Sequence, residues 1–146
     1  MEILVPDTPF TDHGEPLTAS PVPKARRLGC LAQRFGWQAL LFEEAVFSML
    51  ARHARDYSGG LWEFYELSNG GFYMALDTEE RFRVAVPGNG FEGELSAEAA
   101  GLFACAMAYS HLSFWPDGEV FAKEFYLLHD FLRQHPESAA LAAALD

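Results

Sequence analysis

The stretch LWEFYELSNGGFYMAL, residues 61–76, carries five aromatic side chains around an Asn-Gly pair. Residues 61–67 are rich in aromatics, which favours a strand over a helix. Asn69-Gly70 is the strongest short-range signal for a hairpin, because both residues tolerate the positive φ angles of a tight turn. The stretch is therefore predicted to form two antiparallel strands that turn at this pair.

A two-residue turn at that pair determines which strand residues face each other. It places Leu67 opposite Phe72, and Tyr65 opposite Met74. Because side chains alternate between the faces of a strand, this register sorts the stretch into two faces. The interior face is predicted to carry Leu61, Glu63, Tyr65, Leu67, Phe72, Met74 and Leu76. The opposite face is predicted to carry Trp62, Phe64, Glu66, Tyr73, Ala75 and Asp77.

A third strand is predicted at RFRVAV, residues 81–86, where Phe82, Val84 and Val86 alternate with arginine and alanine. Placing these apolar residues on the interior face puts Phe82 opposite Leu76 and gives a three-stranded meander. The second Asn-Gly pair, residues 89–90, allows a short fourth strand.

Helical patterns lie on both sides of the strands. Residues 38–57 place apolar side chains at helical spacing, and residues 99–116 lack any charged side chain, which indicates a central core helix. Two more helices are predicted, one after Pro116 and Gly118 and a short one after Pro136. The predicted fold class is α+β: a small antiparallel sheet of three or four strands packed with about four helices in a single domain.

The N-terminal region has a different composition. Residues 6–23 hold five prolines, which favours extended or irregular backbone. We therefore predict a proline-rich surface arm over residues 1–27 and an α+β domain over residues 28–146. The basic segment KARRLGCLAQRFG, residues 24–36, is expected to be solvated, and a short helical turn is the alternative.

The formal net charge is -11, and the acidity lies in the second part of the chain. Residues 59–146 hold four Lys or Arg against fourteen Asp or Glu. Such a field repels phosphate backbones, so direct binding of nucleic acid is not expected. DNA mimicry is the opposite reading, but the acids are scattered rather than arranged in rows. The N-terminal MEILVPD lacks a basic region typical of a secretory signal, so a cytoplasmic location with no membrane span is expected.

No combination of residues indicates catalysis, a cofactor or a metal. The five histidines have no metal-ligand spacing, and Cys30 and Cys105 are expected to be buried, reduced thiols. Glu63 and Glu66 are the best pair of carboxylates, but their spacing on a strand points them to opposite faces. Glu63 is expected to reach water or a basic partner such as Arg34.

The predicted opposite face of the sheet is the candidate partner-binding site. Tryptophan, tyrosine and arginine are common at interface hot spots, and this face carries one of each together with a phenylalanine and a glutamate. The candidate residues are Trp62, Phe64, Glu66, Tyr73 and Arg83. The alternative is that helices or the arm cover this side. Asp146 is a further candidate, because two carboxylates at a helix C-terminus are disfavoured by the helix dipole unless a basic partner contacts them.

Three segments resemble the antirestriction family that includes ArdB and KlcA. They are DYSGGLWEFYELSNGGFYMAL (56–76), PGNGFEGELSAEAAG (87–101) and HPESAALAAALD (135–146), and the likeness extends over residues 28–146. The resemblance implies a non-enzymatic protein, typically carried on plasmids or other mobile genetic elements, that relieves type I restriction of incoming DNA. It implies no catalytic residues and a mode of action unlike that of the acidic DNA mimics.

The sequence therefore predicts an antirestriction protein that acts through protein contacts on the type I restriction-modification machinery, directly or indirectly. A general adaptor that uses the aromatic face of the sheet is the alternative. A small hydrolase using Glu63 or Glu66 comes third. The oligomeric state is left open.

Overall fold

A computed structural model describes residues 15–146. Its helices are α1 (Lys24–Phe35), α2 (Ala39–His53), α3 (Ala97–Ser113), α4 (Glu119–Leu132) and α5 (Ser138–Leu145), with a 3-10 segment (Gly36–Gln38) between the first two. Its strands are β1 (Ala19–Pro21), β2 (Trp62–Leu67), β3 (Phe72–Leu76), β4 (Arg81–Val86) and β5 (Phe91–Ser96). The predicted α+β class is confirmed.

The hairpin of β2 and β3 forms, but the predicted register is wrong by one residue. Phe64 pairs with Met74 and Tyr65 pairs with Tyr73. The cause is the loop: Leu67 N–H donates to the Gly71 carbonyl at 2.9 Å, so three residues lie between the closing pair instead of two. Gly70, at φ +93°, takes the left-handed position of this longer turn. The shift places Tyr73 on the face opposite to Phe64.

The predicted meander is also wrong, because β4 pairs with β5 and not with β3. The strands form a β1-β2-β3 sheet and a separate β4-β5 sheet. Helix α3 occupies the edge of β3 that a third strand would need. The Tyr109 hydroxyl donates to the Phe72 carbonyl at 2.8 Å, and Cys105 Sγ lies 3.4 Å from the Met74 amide nitrogen. These side chains satisfy backbone groups that would otherwise be open for strand pairing.

Helix α3 is the central helix, as predicted. Ser96 caps it by accepting a hydrogen bond from Ala99 N–H at 3.1 Å. A Cβ at Gly101 would lie 2.6 Å from Ala75 Cα, so only glycine allows this close approach to β3. No helix in the range 15–146 is both long and apolar enough to cross a bilayer.

The part of the predicted arm that the structure describes lies against the domain. Strand β1 pairs with β2, and Leu17 and Val22 are buried. Residues 1–14, which begin the arm, lie outside the described residues. The expectation of a solvated basic segment is wrong for one face of α1, where Cys30 and Phe35 are buried. Helix α1 is amphipathic: this face packs on the core, Arg26 is exposed, and Arg27 and Arg34 are partly buried beside their acidic partners.

The core is an aromatic cluster between the helices and the first sheet. The Phe42 and Tyr109 rings stack with their centroids 4.9 Å apart, which joins α2 to α3. Phe35, Phe72 and Phe121 pack around them. In β4 the predicted alternation is confirmed, since Phe82, Val84 and Val86 are buried while the two arginines and Ala85 are exposed.

Candidate protein-interaction surface

The aromatic face predicted to bind a partner is buried. Trp62 is 9% exposed, Phe64 is 7% exposed and Tyr73 is 1% exposed. Trp62 packs against Phe47 of α2, with ring centroids 5.3 Å apart, and Phe64 lines a groove between α1 and α2. Of the two interpretations of this face, the structure supports the alternative, in which helices cover that side of the sheet. The adaptor alternative loses the surface on which it depended.

Tyr73 belongs to the other face of the hairpin. Its ring stacks on Tyr65 with centroids 4.8 Å apart and on Phe131 with centroids 5.8 Å apart. Its hydroxyl donates to Glu98 Oε2 at 3.0 Å. Burial and the neighbouring Glu98 charge both raise the pKa of Tyr73, so the phenol keeps its proton and remains a donor. This contact joins β3 to α3.

The two acids of β2 are paired with arginines of α1. Arg26 Nη2 lies 2.8 Å from Glu66 Oε2, and Arg27 Nη2 lies 2.6 Å from Glu63 Oε1. Glu63 reaches a basic partner, as expected, but that partner is Arg27 and not Arg34. The basic cluster thus holds α1 against the sheet, and the two glutamates do not face a shared cavity as a catalytic pair would.

The distinctive loop of the SNGG segment is anchored from two helices. Arg34 of α1 donates to the Gly70 carbonyl at 3.0 Å and to Glu124 Oε2 at 2.6 Å, while its guanidinium lies 5.0 Å from the centroid of the Phe72 ring. Asn69 Nδ2 donates to the Leu127 carbonyl of α4 at 3.0 Å. Burial raises the pKa of Glu124, and the Arg34 charge opposes that shift. Sequence reasoning missed this pair, because its members lie 90 residues apart.

The two remaining candidates lie elsewhere. Arg83 is on the exposed side of β4, where its Nε is 3.8 Å from Glu92 Oε2. It belongs to the second sheet, so the structure does not bring it near β2. The Asp146 carbonyl accepts a hydrogen bond from Asn89 Nδ2 at 3.1 Å, as does the Ala144 carbonyl at 3.0 Å. The six predicted residues therefore do not form one site.

A different surface, which was not predicted from the sequence, is exposed and apolar. We call it the tryptophan surface, and its residues are Leu28, Trp37, Leu40, Phe114 and Trp115. They come from α1, the 3-10 segment, the start of α2 and the turn after α3. In the sequence these positions look like parts of apolar stripes, so no local signal distinguishes them from core residues.

The described residues offer no group for metal or thiol chemistry. Within residues 15–146 no cluster of His, Cys, Asp and Glu has a geometry that could hold a metal ion. Both cysteines are free and buried. Burial raises the pKa of the Cys105 thiol to about 12, which makes it a poor nucleophile.

Comparison with known proteins agrees with this architecture. The family model described as antirestriction protein matches residues 55–146. The antirestriction protein KlcA of Escherichia coli is 41% identical over 137 residues, which cover 90% of this chain and 96% of that protein. The uncharacterized protein YafX of Escherichia coli K12 is 39% identical over 134 residues, covering 89% of this chain and 88% of YafX.

A solved structure shares the fold at a TM-score of 0.84 and 39% identity, covering 90% of this chain and 96% of the other. It is described as showing that the KlcA and ArdB proteins have a novel fold and antirestriction activity against type I DNA restriction systems in vivo but not in vitro. The fold thus defines a small α+β protein of the KlcA and ArdB type. The chain belongs to the antirestriction protein family, which confirms the resemblance predicted from its sequence.

Proposed function

We propose that this protein relieves the restriction of incoming DNA by type I restriction-modification systems, acting without catalysis through contacts with protein. The observation that carries the proposal is the solved structure with the same fold, whose activity is described against type I systems. The similarity covers 90% of this chain and 96% of the other. The proposal therefore applies to the whole domain that the two proteins share.

Two features of the surface support protein contacts over DNA mimicry. A mimic needs carboxylates in rows with phosphate-like spacing, and several acids here have arginine partners instead. Glu63, Glu66 and Glu124 are each within 2.8 Å of an arginine nitrogen. The charge that remains is scattered, which suits solubility more than imitation of a duplex. The proposed action takes place in the cytoplasm, where incoming DNA is restricted.

Plating of unmodified phage tests the proposal. A host with a type I system and an isogenic host without it would each carry the wild-type gene, an empty vector or the Gly101→Val variant. Because a Cβ at Gly101 would meet backbone atoms of β3, the valine variant serves as a misfolded control. We expect the wild-type protein alone to raise plating severalfold on the restricting host.

Two controls make this result specific. Phage already modified by the host system should plate equally with and without the protein, and all three strains should plate alike when restriction is absent. If the wild-type protein leaves plating on the restricting host unchanged at a verified expression level, the proposal is wrong. Adding purified protein to a cleavage reaction with the purified restriction enzyme then separates direct from indirect action.

A further inference from the structure

The tryptophan surface surrounds the first turn of α2. Leu28 and Leu40 line one groove, of about 350 Å³, between α1 and α2. Trp115 lines a second groove, of about 260 Å³, between α2 and the end of α3. Gln38 Nε2 donates to the Asp117 carbonyl at 2.9 Å, which ties the 3-10 segment that carries Trp37 to the turn that follows α3.

This clustering is far from what an even scatter of apolar residues would give. Seven large hydrophobic residues are exposed among residues 15–146, and five of them belong to this surface. Leu28 is 96% exposed, Phe114 is 87% exposed and Trp37 is 73% exposed. Single exposed apolar residues need no explanation, but a cluster rich in aromatics is typical of an interface core.

The charges around the surface indicate what covers it. Glu43 lines the first groove and Glu44 the second, while Asp117 and Glu119 follow Trp115 in the chain. None of these four acids has an ion pair within the described part of the chain. Of the arginines that line the two grooves, Arg27 is paired with Glu63, and Arg52 has no ion pair among the described residues. The rim is therefore negative.

A second copy of the chain fits this rim poorly. A twofold interface puts the same patch on both sides, so the acids of one copy would face those of the other. With a net charge of -11 on each chain, that arrangement is repulsive. A basic segment has the complementary charge, and an amphipathic helix can insert apolar side chains at helical spacing into the two grooves.

We propose that the tryptophan surface docks a basic amphipathic helix of a partner protein. Its apolar side chains occupy the grooves on either side of α2, and its lysines or arginines face Glu43, Glu44, Asp117 and Glu119. This inference goes beyond the proposed antirestriction function and does not depend on it.

Two synthetic helical peptides with the same apolar face test the proposal, one with lysines and one with glutamates on its polar face. The full chain labelled with ¹⁵N has three indole N–H groups, from Trp37, Trp62 and Trp115. We expect the lysine peptide to shift the Trp37 and Trp115 signals saturably, while the signal of the buried Trp62 stays in place. The glutamate peptide should shift none of them.

Paired variants separate specific docking from general attraction. Trp37→Ser combined with Leu40→Ser should lower the affinity for the lysine peptide by about tenfold or more, because two exposed contact residues are lost. Leu61→Ser, at an exposed apolar residue outside the surface, should leave the affinity unchanged. Glu43→Lys with Glu44→Lys should weaken binding much more than Glu79→Lys with Glu80→Lys, which changes the net charge equally at an exposed turn.

Several outcomes would overturn the proposal. If the two charge-reversal pairs lower the affinity for the lysine peptide equally, the peptide is attracted by the net charge of the whole protein and not by the tryptophan surface. Sedimentation of a dimer that Trp37→Ser with Leu40→Ser dissociates would make a second copy the occupant. A shift of the Trp37 and Trp115 signals caused by Leu4→Ser with Phe10→Ser, without peptide, would make the chain's own N-terminal segment the occupant.

Discussion

Gly101 is the residue on which the packing of α3 against β3 depends. Its missing side chain lets the helix reach the strand, and this approach brings Cys105 and Tyr109 within hydrogen-bonding distance of the strand backbone. A Cβ there would lie 2.6 Å from Ala75 Cα and from the Met74 carbonyl oxygen, and neither backbone atom can move independently of its strand. The close approach in turn leaves no room for a further strand at this edge.

Gly101→Ala should destabilise the protein by about 1–3 kcal/mol, because the added methyl overpacks a contact between backbones. Gly29→Ala is the matched control: it lies in α1 with no atom within 4 Å of the added Cβ. That change should stabilise the protein by about 0.4–1 kcal/mol through the unfolded state. Urea denaturation of both variants measures the difference, and equal midpoints would contradict this account of α3.

At the scale of elements, the eight-residue helix α5 is too short to be stable alone and is held by side chains from the second sheet. Glu137, just before it, accepts hydrogen bonds from Ser96 N–H at 3.0 Å and from Ser96 Oγ at 2.5 Å. The Asn89 amide donates to carbonyls at the other end. The segments around residues 89 and 137, both within the family likeness, thus meet at one helix.

The hydrogen bonds between Glu137 and Ser96 should stabilise α5 less at acidic pH. Burial raises the pKa of Glu137, but the Ser96 hydrogen bonds, together with the charges of His135 and Arg81, outweigh it and leave the pKa below its usual value. A lowered folded-state pKa contributes stability above the unfolded pKa, about 4.3, which is lost as the pH falls through the folded value. Glu137→Gln should therefore cost about 1–2 kcal/mol at neutral pH and should show a shallower loss of stability in acid.

Urea denaturation at pH 7 and at points down to about pH 3 measures both effects, since that range includes the carboxyl titration. Glu79→Gln, in the exposed turn before β4, should keep the neutral-pH stability of the wild type. If the stability of Glu137→Gln falls with pH as steeply as that of the wild type, the contacts between Glu137 and Ser96 are not the cause of the acid dependence.

At the scale of the whole molecule, the charge is organised in two ways. Arginines of α1 bind acids of the sheet and of α4, and these pairs hold elements together. The remaining excess of acid gives the chain its net charge of -11. Such a field keeps polyanions away and favours basic partners, which is consistent with both proposals.

The intact protein should therefore not retard duplex DNA in a gel-shift assay, even at low salt, where binding to phosphates is strongest. A basic DNA-binding domain under the same conditions is the positive control. A retarded band that disappears as salt is added would show that the protein binds phosphate groups, contrary to this expectation.

Local patterns predicted the elements well. The alternation in residues 81–86 identified β4, and the uncharged stretch of residues 99–116 identified α3. The register failed because Asn69-Gly70 fits loops of two or three residues, and the choice depends on contacts from Arg34 and Asn69 to other elements. The candidate site failed for the same kind of reason, since burial of Trp62 is decided by α2 and not by its neighbours in the strand.

The sequence by itself determined the α+β class, the central helix, the family and the acidic surface. These follow from spacing within single elements, from motifs and from composition, which need no knowledge of distant contacts. Only the tertiary structure decided which strands pair and which apolar residues remain exposed. A strand edge or an apolar face is covered by whichever element packs on it. Here the Tyr109 hydroxyl covers the edge of β3 at the Phe72 carbonyl, and these two residues are 37 positions apart in the chain.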